Sequence, residues 1–313
     1  MNTVKPTVRF HRQRKKAKSG GELFFTIINY IIFTIIMFVC IFPFYYLFIN
    51  TISSNDMVNR GLVLFYPKEI TFQNYINVLK MDEFANAFMV SVSRTVIGTA
   101  LGIFLSAYTA YLVTKQKMWH RKFGYRMIVV GMYVNAGIIA WYINMMNLGL
   151  LDNFLAYILP GLIQPMNVIM TKTYIEQSVP DSLEEAAEID GASIMVRFFR
   201  VVLPLCGPIL ATLTIFTAIG HWNNLQDTLL LMNDPKLYTL QFVLYQYTNQ
   251  AAAMATAMVS TGSSSVLDNL NTYISPVTLR MTVAMVVVAP VLLIYPFFQR
   301  YFVKGIMIGA VKG

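Results

Sequence analysis

Runs of about twenty apolar residues, each long enough to cross a hydrocarbon core of about 30 Å as helix, recur six times along the 313 residues of this chain. They fall at about 23–49, 85–113, 123–146, 154–173, 207–232 and 279–302. A lipid-facing backbone must satisfy its own hydrogen bonds, and these runs lack the alternation of barrel strands, so helix is the reading that remains. The expected fold is an all-α membrane protein with six transmembrane helices. A composition of 56% hydrophobic and 12% charged residues exceeds what one soluble core of this size requires.

Threading the six runs with the amino terminus inside sorts the basic residues unevenly. Seven fall at 5–18, five at 115–126, three at 172–200 and three at 300–312, so 18 of the 24 lie on one side. Both termini are therefore expected in the cytoplasm of a multi-pass plasma-membrane protein. Residues 1–21 read as a basic tail and 22–313 as the transmembrane domain. The net charge of +9 flanks apolar runs instead of forming a basic module, which argues against a nucleic-acid partner and for membrane lipids. The first apolar run is too long for a signal peptide and no small-residue cleavage site follows it, so a retained helix is expected. Cys40 and Cys206 lie in or beside spans and imply neither a disulfide framework nor a metal site.

Two outer stretches, about 50–84 and 233–275, are long enough to receive a partner or to cap the bundle. The second predicts an amphipathic helix near 237–247 and a flexible run at 261–265. The inner stretch 174–204 is too polar to span and too patterned to be slack, and predicts two short helices. Pro180 opens it, and Asp181 or Ser182 stands in capping-box spacing with Glu184 or Glu185. Leu183, Ala186, Ala187 and Asp190 fall on neighbouring helical positions, and Gly191 is placed to end the helix in a left-handed conformation. Ala192 and Ser193 begin a second piece, which Pro204 and Pro208 break.

Glu185, Ala186, Ala187, three residues, Gly191, nine residues, Val201, one residue, Leu203 and Pro204 resemble the cytoplasmic loop signature of permeases in binding-protein-dependent ABC importers. The ending, Tyr295 to Gly305 and Gly309 to Gly313, resembles a lipoprotein-linked or polysaccharide-type branch of carbohydrate permeases. Trp222 and Asn223, and the segment from Leu148 to Asn153, are similar to the wider maltose-type permeases. Departures are Val201 where isoleucine is usual and the Asn224 that follows Trp222 and Asn223. The resemblance implies a type I ABC importer permease fold in which 174–204 couples to an ATPase through Glu184, Glu185, Ala186, Ala187, Asp190, Gly191, Leu203 and Pro204. It also implies a second homologous permease, two ATP-binding subunits and an extracellular sugar-binding lipoprotein as partners. ATP and Mg would sit in the ATP-binding subunits and no cofactor in this chain, which has no Gly-x-x-x-x-Gly-Lys-Ser/Thr loop and is expected not to be an enzyme. Small residues at 186, 187 and 191 let a soluble subunit approach closely, and the acidic residues Glu184, Glu185, Glu188 and Asp190 either pair with its basic residues or stay solvated.

A sugar needs hydrogen-bond partners for its hydroxyls and an aromatic face for its ring. His221, Asn224 and Thr228 lie at i, i+3 and i+7, with Trp222 and Asn223 beside them. These residues, with Asn135, Tyr142 and Asn144, are the candidate cargo pathway, and Gln164 and Asn167 extend it. Helix packing accounts for the same polar residues, and for Trp222 in particular. Arg94 is expected to snorkel to headgroups. An oligosaccharide is the expected cargo. The alternatives are a peptide or amino-acid permease and an ion-coupled secondary transporter, for which Asp227 is the clear carboxylate candidate.

Overall fold

The computed structural model describes residues 20–261 and 276–310. The basic residues at 5–18, the run 262–265 and the last three residues lie outside the described residues. The chain divides into two units after Leu47. The first is carried by helix α1 (Gly20–Thr51), whose last turn from Phe48 belongs to the second.

In the second unit, α2 (Asn55–Asn59) and α3 (Gln73–Leu79) precede the long helix α4 (Asp82–Thr114), and α5 (Arg121–Tyr133) and α6 (Gly137–Asn147) follow. Two 3-10 turns, Phe154–Tyr157 and Leu159–Gly161, lead into α7 (Pro165–Ser178) and α8 (Asp181–Ile189). Next come α9 (Ile194–Arg197), a π turn (Phe198–Val202), α10 (Leu203–Leu205), α11 (Gly207–Asn223) and α12 (Gln226–Leu231). The last two helices are α13 (Leu240–Thr261) and α14 (Pro276–Ala310).

Helix α4 organises this unit because one of its faces is built from small residues. Gly98, Gly102, Ser106 and Ala110 recur at every fourth position and so share a face. A Cβ at Gly102 would stand 3.5 Å from the Gly161 carbonyl, Ser106 Oγ accepts from the Gln164 amide at 3.4 Å, and Ala110 is buried with Val168 and Phe198. That face thereby draws α7, the 3-10 turns and the π turn onto one helix. The opposite end of α4 packs with Trp222, Val243 and Val283, tying α11, α13 and α14 together.

Several expected runs are broken. Among the described residues three helices are long and apolar enough to cross a membrane, Gly20–Thr51, Glu83–Thr114 and Val277–Ile294, or up to five if each of two bent pairs is one span. The run expected at 123–146 is two helices, because Val134 turns extended (ψ 111°) and the Asn135 side chain accepts from the Gly137 amide at 2.9 Å. The fourth run is bent by 42° between the 3-10 turns and α7, and α11 meets the α9–α10 segment at 83°. Prolines explain these bends: Pro165 and Pro208 stand in the first turns of α7 and α11, where the missing N–H is tolerated. The fifth run ends at Asn223 and resumes as α12, so His221 and Thr228 do not share one continuous stripe. The amphipathic helix expected near 237–247 is the longer α13.

Candidate functional site

Two places in the second unit are built from polar side chains. The first is an open cavity of about 690 Å³ at the break between α11 and α12, lined also by residues of α4, α6 and the 3-10 turns. Asn135, Trp141, Gln164, His221, Asn224 and Gln226 contribute to its lining, a mixture of amide, indole and imidazole groups. Such a surface suits a polyhydroxylated solute, since it offers donors, acceptors and an aromatic face together.

Arg94 and Asp227 hold the cavity's shape. The Arg94 side chain, 1% exposed, forms an ion pair with Asp227 and donates from Nη1 to the Asn224 carbonyl at 3.1 Å. Its guanidinium carbon lies 4.5 Å from the centre of the Tyr157 ring, whose hydroxyl donates to the Leu237 carbonyl at 2.7 Å. A cation at the carboxyl end of α11 complements that helix's exposed carbonyls, and Asp227 stands in the first turn of α12 where an anion is favoured. This corrects the expectation that Arg94 snorkels to headgroups: it is enclosed because a carboxylate, a carbonyl and a ring all meet it inside the fold. Beside it, the His221 ring lies on Gly98, where a Cβ would come within 2.8 Å of the imidazole. The His221 Nε2 has no hydrogen-bond partner among the described residues.

The second place is the segment 174–204. Helix α8 begins after Pro180 with no side-chain cap, so neither Asp181 nor Ser182 acts as the expected N-cap. Pro180 presets the entry at φ −65°, and Asp181 and Glu184 lie in the first turn, on the favourable side of the helix dipole. The helix ends in a two-bond Schellman arrangement: the Ala192 amide donates to Ala187 at 2.9 Å and the Gly191 amide to Glu188 at 3.0 Å. Gly191 has φ +79°, a conformation that other residues adopt only with strain. Ser193 caps α9 by accepting from the Val196 amide.

Two ion pairs fasten α8 to the end of α4. Glu184, 7% exposed, pairs with Lys115 and accepts from the Tyr111 hydroxyl at 3.3 Å, while the Lys115 ammonium lies 4.4 Å from the centre of the Tyr111 ring. Glu188 is bridged by Lys117 and by Arg197, the latter at 2.6 Å. Hydrogen bonds from Lys117 first, then from Arg197, hold the Glu188 carboxyl below the usual carboxylate range. Glu184 and Glu188 are thus occupied within the chain. Glu185, Ala186, Asp190 and Gly191 remain exposed, next to the exposed apolar side chains of Leu183 and Ile189.

With this geometry in view, residues 98–308 match the family described as binding-protein-dependent transport system inner membrane component. The chain belongs to this family. It is similar to the polygalacturonan/rhamnogalacturonan transport system permease protein YtcP of Bacillus subtilis (strain 168), at 34% identity over 88% of this chain and 93% of that one. The arabinooligosaccharides transport system permease protein AraQ of Halalkalibacterium halodurans is 26% identical over 90% of this chain and 94% of its own length. Among solved structures, a chain of a bacterial ABC transporter involved in the import of the acidic polysaccharide alginate superposes with a TM-score of 0.81 and 28% identity, over 92% of this chain and all of that one.

The structure of this inner membrane component sorts its sequence candidates. Asn135, His221 and Asn224 line the cavity with Gln164. Asn167 is buried and donates to Thr217 Oγ1 at 3.1 Å. Trp222 faces away, donating from Nε1 to the Val287 carbonyl at 3.0 Å, and so packs α11 on α14. Asn223 is exposed and accepts from Gln241 at 3.0 Å. Tyr142 packs with the cluster around Met145 and Asn144 is exposed, so neither joins the cavity. In the segment 174–204 Leu203 is half-buried against the core around Phe198, and Pro204 is exposed. Sequence reasoning missed Arg94, Tyr157 and Asp227 as neighbours. The available signal was one cation and one carboxylate inside otherwise apolar runs, which a low-dielectric setting drives to pair.

Proposed function

We propose that this chain is the permease half of an ATP-driven importer that moves an oligosaccharide across the bacterial plasma membrane by alternating access. Three similar proteins are named for polygalacturonan/rhamnogalacturonan, arabinooligosaccharide and alginate transport, which supports a sugar of more than one residue. The observation that carries the reading is the presentation of α8: an exposed small and apolar surface, ended by Gly191 and anchored behind by Glu184.

In this reading a second homologous permease completes the pore, two ATP-binding subunits hold ATP and Mg, and an extracellular sugar-binding lipoprotein delivers cargo. Residues 174–204 face the cytoplasm, as do both termini, and the transmembrane domain covers 22–313. ATPase closure moves α8, and the helix bundle shifts between inward-open and outward-open states whose balance α8 biases. Glu185, Ala186, Ala187, Asp190 and Gly191 meet the ATPase. His221, Asn224 and Asn135 present hydrogen-bonding groups to the sugar in the cavity at the α11–α12 break.

The test is uptake by the assembled importer. Gly191→Trp is expected to leave the chain inserted in the membrane and to abolish sugar uptake, and undiminished uptake in that variant sinks the coupling role. Uptake that persists without ATP while an ion gradient is held would overturn the ATP-driven reading in favour of secondary transport. A lipoprotein partner that binds peptides and ignores an oligosaccharide panel would overturn the sugar assignment.

A further inference from the structure

Two charged side chains line the cavity at the α11–α12 break, Arg94 and Asp227, and they are not equally open to what enters it. The Arg94 side chain is 1% exposed: Nη1 is taken by the Asn224 carbonyl, Nη2 by Asp227 Oδ2, and the Tyr157 ring covers the guanidinium. The Asp227 side chain is 16% exposed, and its second oxygen, Oδ1, takes no hydrogen bond among the described residues. The pair therefore turns its anionic member toward the cavity and keeps its cation behind. An isolated carboxylate is costly to hold inside a membrane protein, and the guanidinium offsets that cost, so the oxygen left over stays ionised and in place.

The lining around Asp227 is uncharged. Gln226 beside it, with Asn224 and Gln164, supplies amides. Trp141 lies on α6, which packs against α12, and its indole N–H makes no hydrogen bond among the described residues. Gly137, Ile138 and Trp141, at i, i+1 and i+4, all line the cavity, so the indole belongs to the face of α6 that borders it. An ionised carboxylate is acceptor-only and takes short, strong bonds from hydroxyl donors, and an aromatic ring offers an apolar face to the C–H side of a pyranose. A neutral sugar ring satisfies both groups. A uronate brings a second carboxylate, which Asp227 repels and which meets no accessible cation in this lining.

We infer that Asp227 is a specificity-determining residue: its Oδ1 accepts hydrogen bonds from the hydroxyls of an uncharged sugar ring seated on Trp141, and its charge disfavours uronate units. The inference rests on the sugar-import reading above and narrows it to neutral oligosaccharides. A similar solved structure belongs to an importer of the acidic polysaccharide alginate, whereas the charge presented by the cavity in this chain favours a neutral cargo.

The experiment is a tryptophan-fluorescence titration of the full-length chain with its copurifying subunits, freed of any extracellular binding protein so that the cavity itself selects. The probes are trigalacturonate and trimannuronate, each paired with its carboxyl-reduced counterpart, which keeps the linkage and carries CH2OH in place of each carboxylate. The neutral member of a pair should bind about tenfold more tightly than the acidic one, with a signal that Trp141→Phe abolishes. Asp227→Asn should weaken the neutral trimer about fivefold and narrow or reverse the preference. Gln226→Lys, at an exposed position beside the pair, should tighten the acidic trimer about tenfold, and it carries the test if Asp227→Asn misfolds. Equal or tighter binding of the acidic trimers by the parent chain, a preference unchanged in a folded variant, or a signal that survives Trp141→Phe would overturn this inference and leave the sugar-import reading standing. Binding of none of the trimers would overturn the cavity as a sugar site, and this inference with it.

Discussion

Arg94 and Asp227, 133 positions apart in the chain, form an ion pair between a buried guanidinium and a half-buried carboxylate at the point where α11 gives way to α12. Removing one partner leaves the other charge without compensation. Arg94→Met or Asp227→Leu alone is expected to destabilise the folded chain by about 3–5 kcal/mol, and the double variant by less than either single change. Thermal unfolding of the three variants in detergent checks this, and a double variant as unstable as the sum of the singles would refute the pairing.

Gly98 seats the His221 ring because no side chain can stand between α4 and α11 there. Gly98→Ala should cost about 1–3 kcal/mol with His221 present and much less in a His221→Ala background. A double-mutant cycle on thermal stability measures the difference, and strictly additive effects would rule out the contact as the cause.

Glu184 and Glu185 are adjacent in sequence but differ in environment: the first is buried against Lys115 and Tyr111, the second is exposed. Glu184→Ala should lower stability by about 2 kcal/mol through loss of a charged hydrogen-bond pair. Glu185→Ala should stay within about 0.5 kcal/mol. Equal melting temperatures for the two variants would show that the latch does not stabilise the fold.

Glu188 supplies a pH dependence with a defined sign. Its carboxyl lies below the ordinary value near 4.5, so folding favours the charged form. The stabilisation it adds is fully present above that ordinary value and is lost as pH falls through the lower folded value. The stability gap between the parent chain and Glu188→Gln should therefore be constant near neutral pH and close in acid. Melting curves across the acidic range follow it, and a gap that widened on acidification would contradict the pairing with Lys117 and Arg197.

Much of the segment 174–204 was legible from residue order. Gly191 could be assigned to a left-handed helix end because that conformation depends on one residue's own backbone and on the helix before it. The same local logic failed at Asp181 and Ser182, where Pro180 sets the entry angle without any side-chain cap. In the cavity, His221, Asn224 and Asn135 were marked by their polarity within apolar runs. Nothing nearby in sequence indicated that Tyr142 and Asn144 would turn elsewhere, since that depends on how α6 rotates after the break at Asn135.

Residue order alone determined that this is a helical membrane chain and to which transport family it belongs, because run length, the spacing of small residues and the glycine at 191 are properties of neighbouring positions. Tertiary structure decided where the runs break, that Arg94 turns inward to Asp227, and that Glu184 holds α8 to α4 instead of facing outward. The physical reason is distance along the chain: partners 69 or 133 positions apart leave no periodicity to read, and their charges meet only when helix packing removes the water between them.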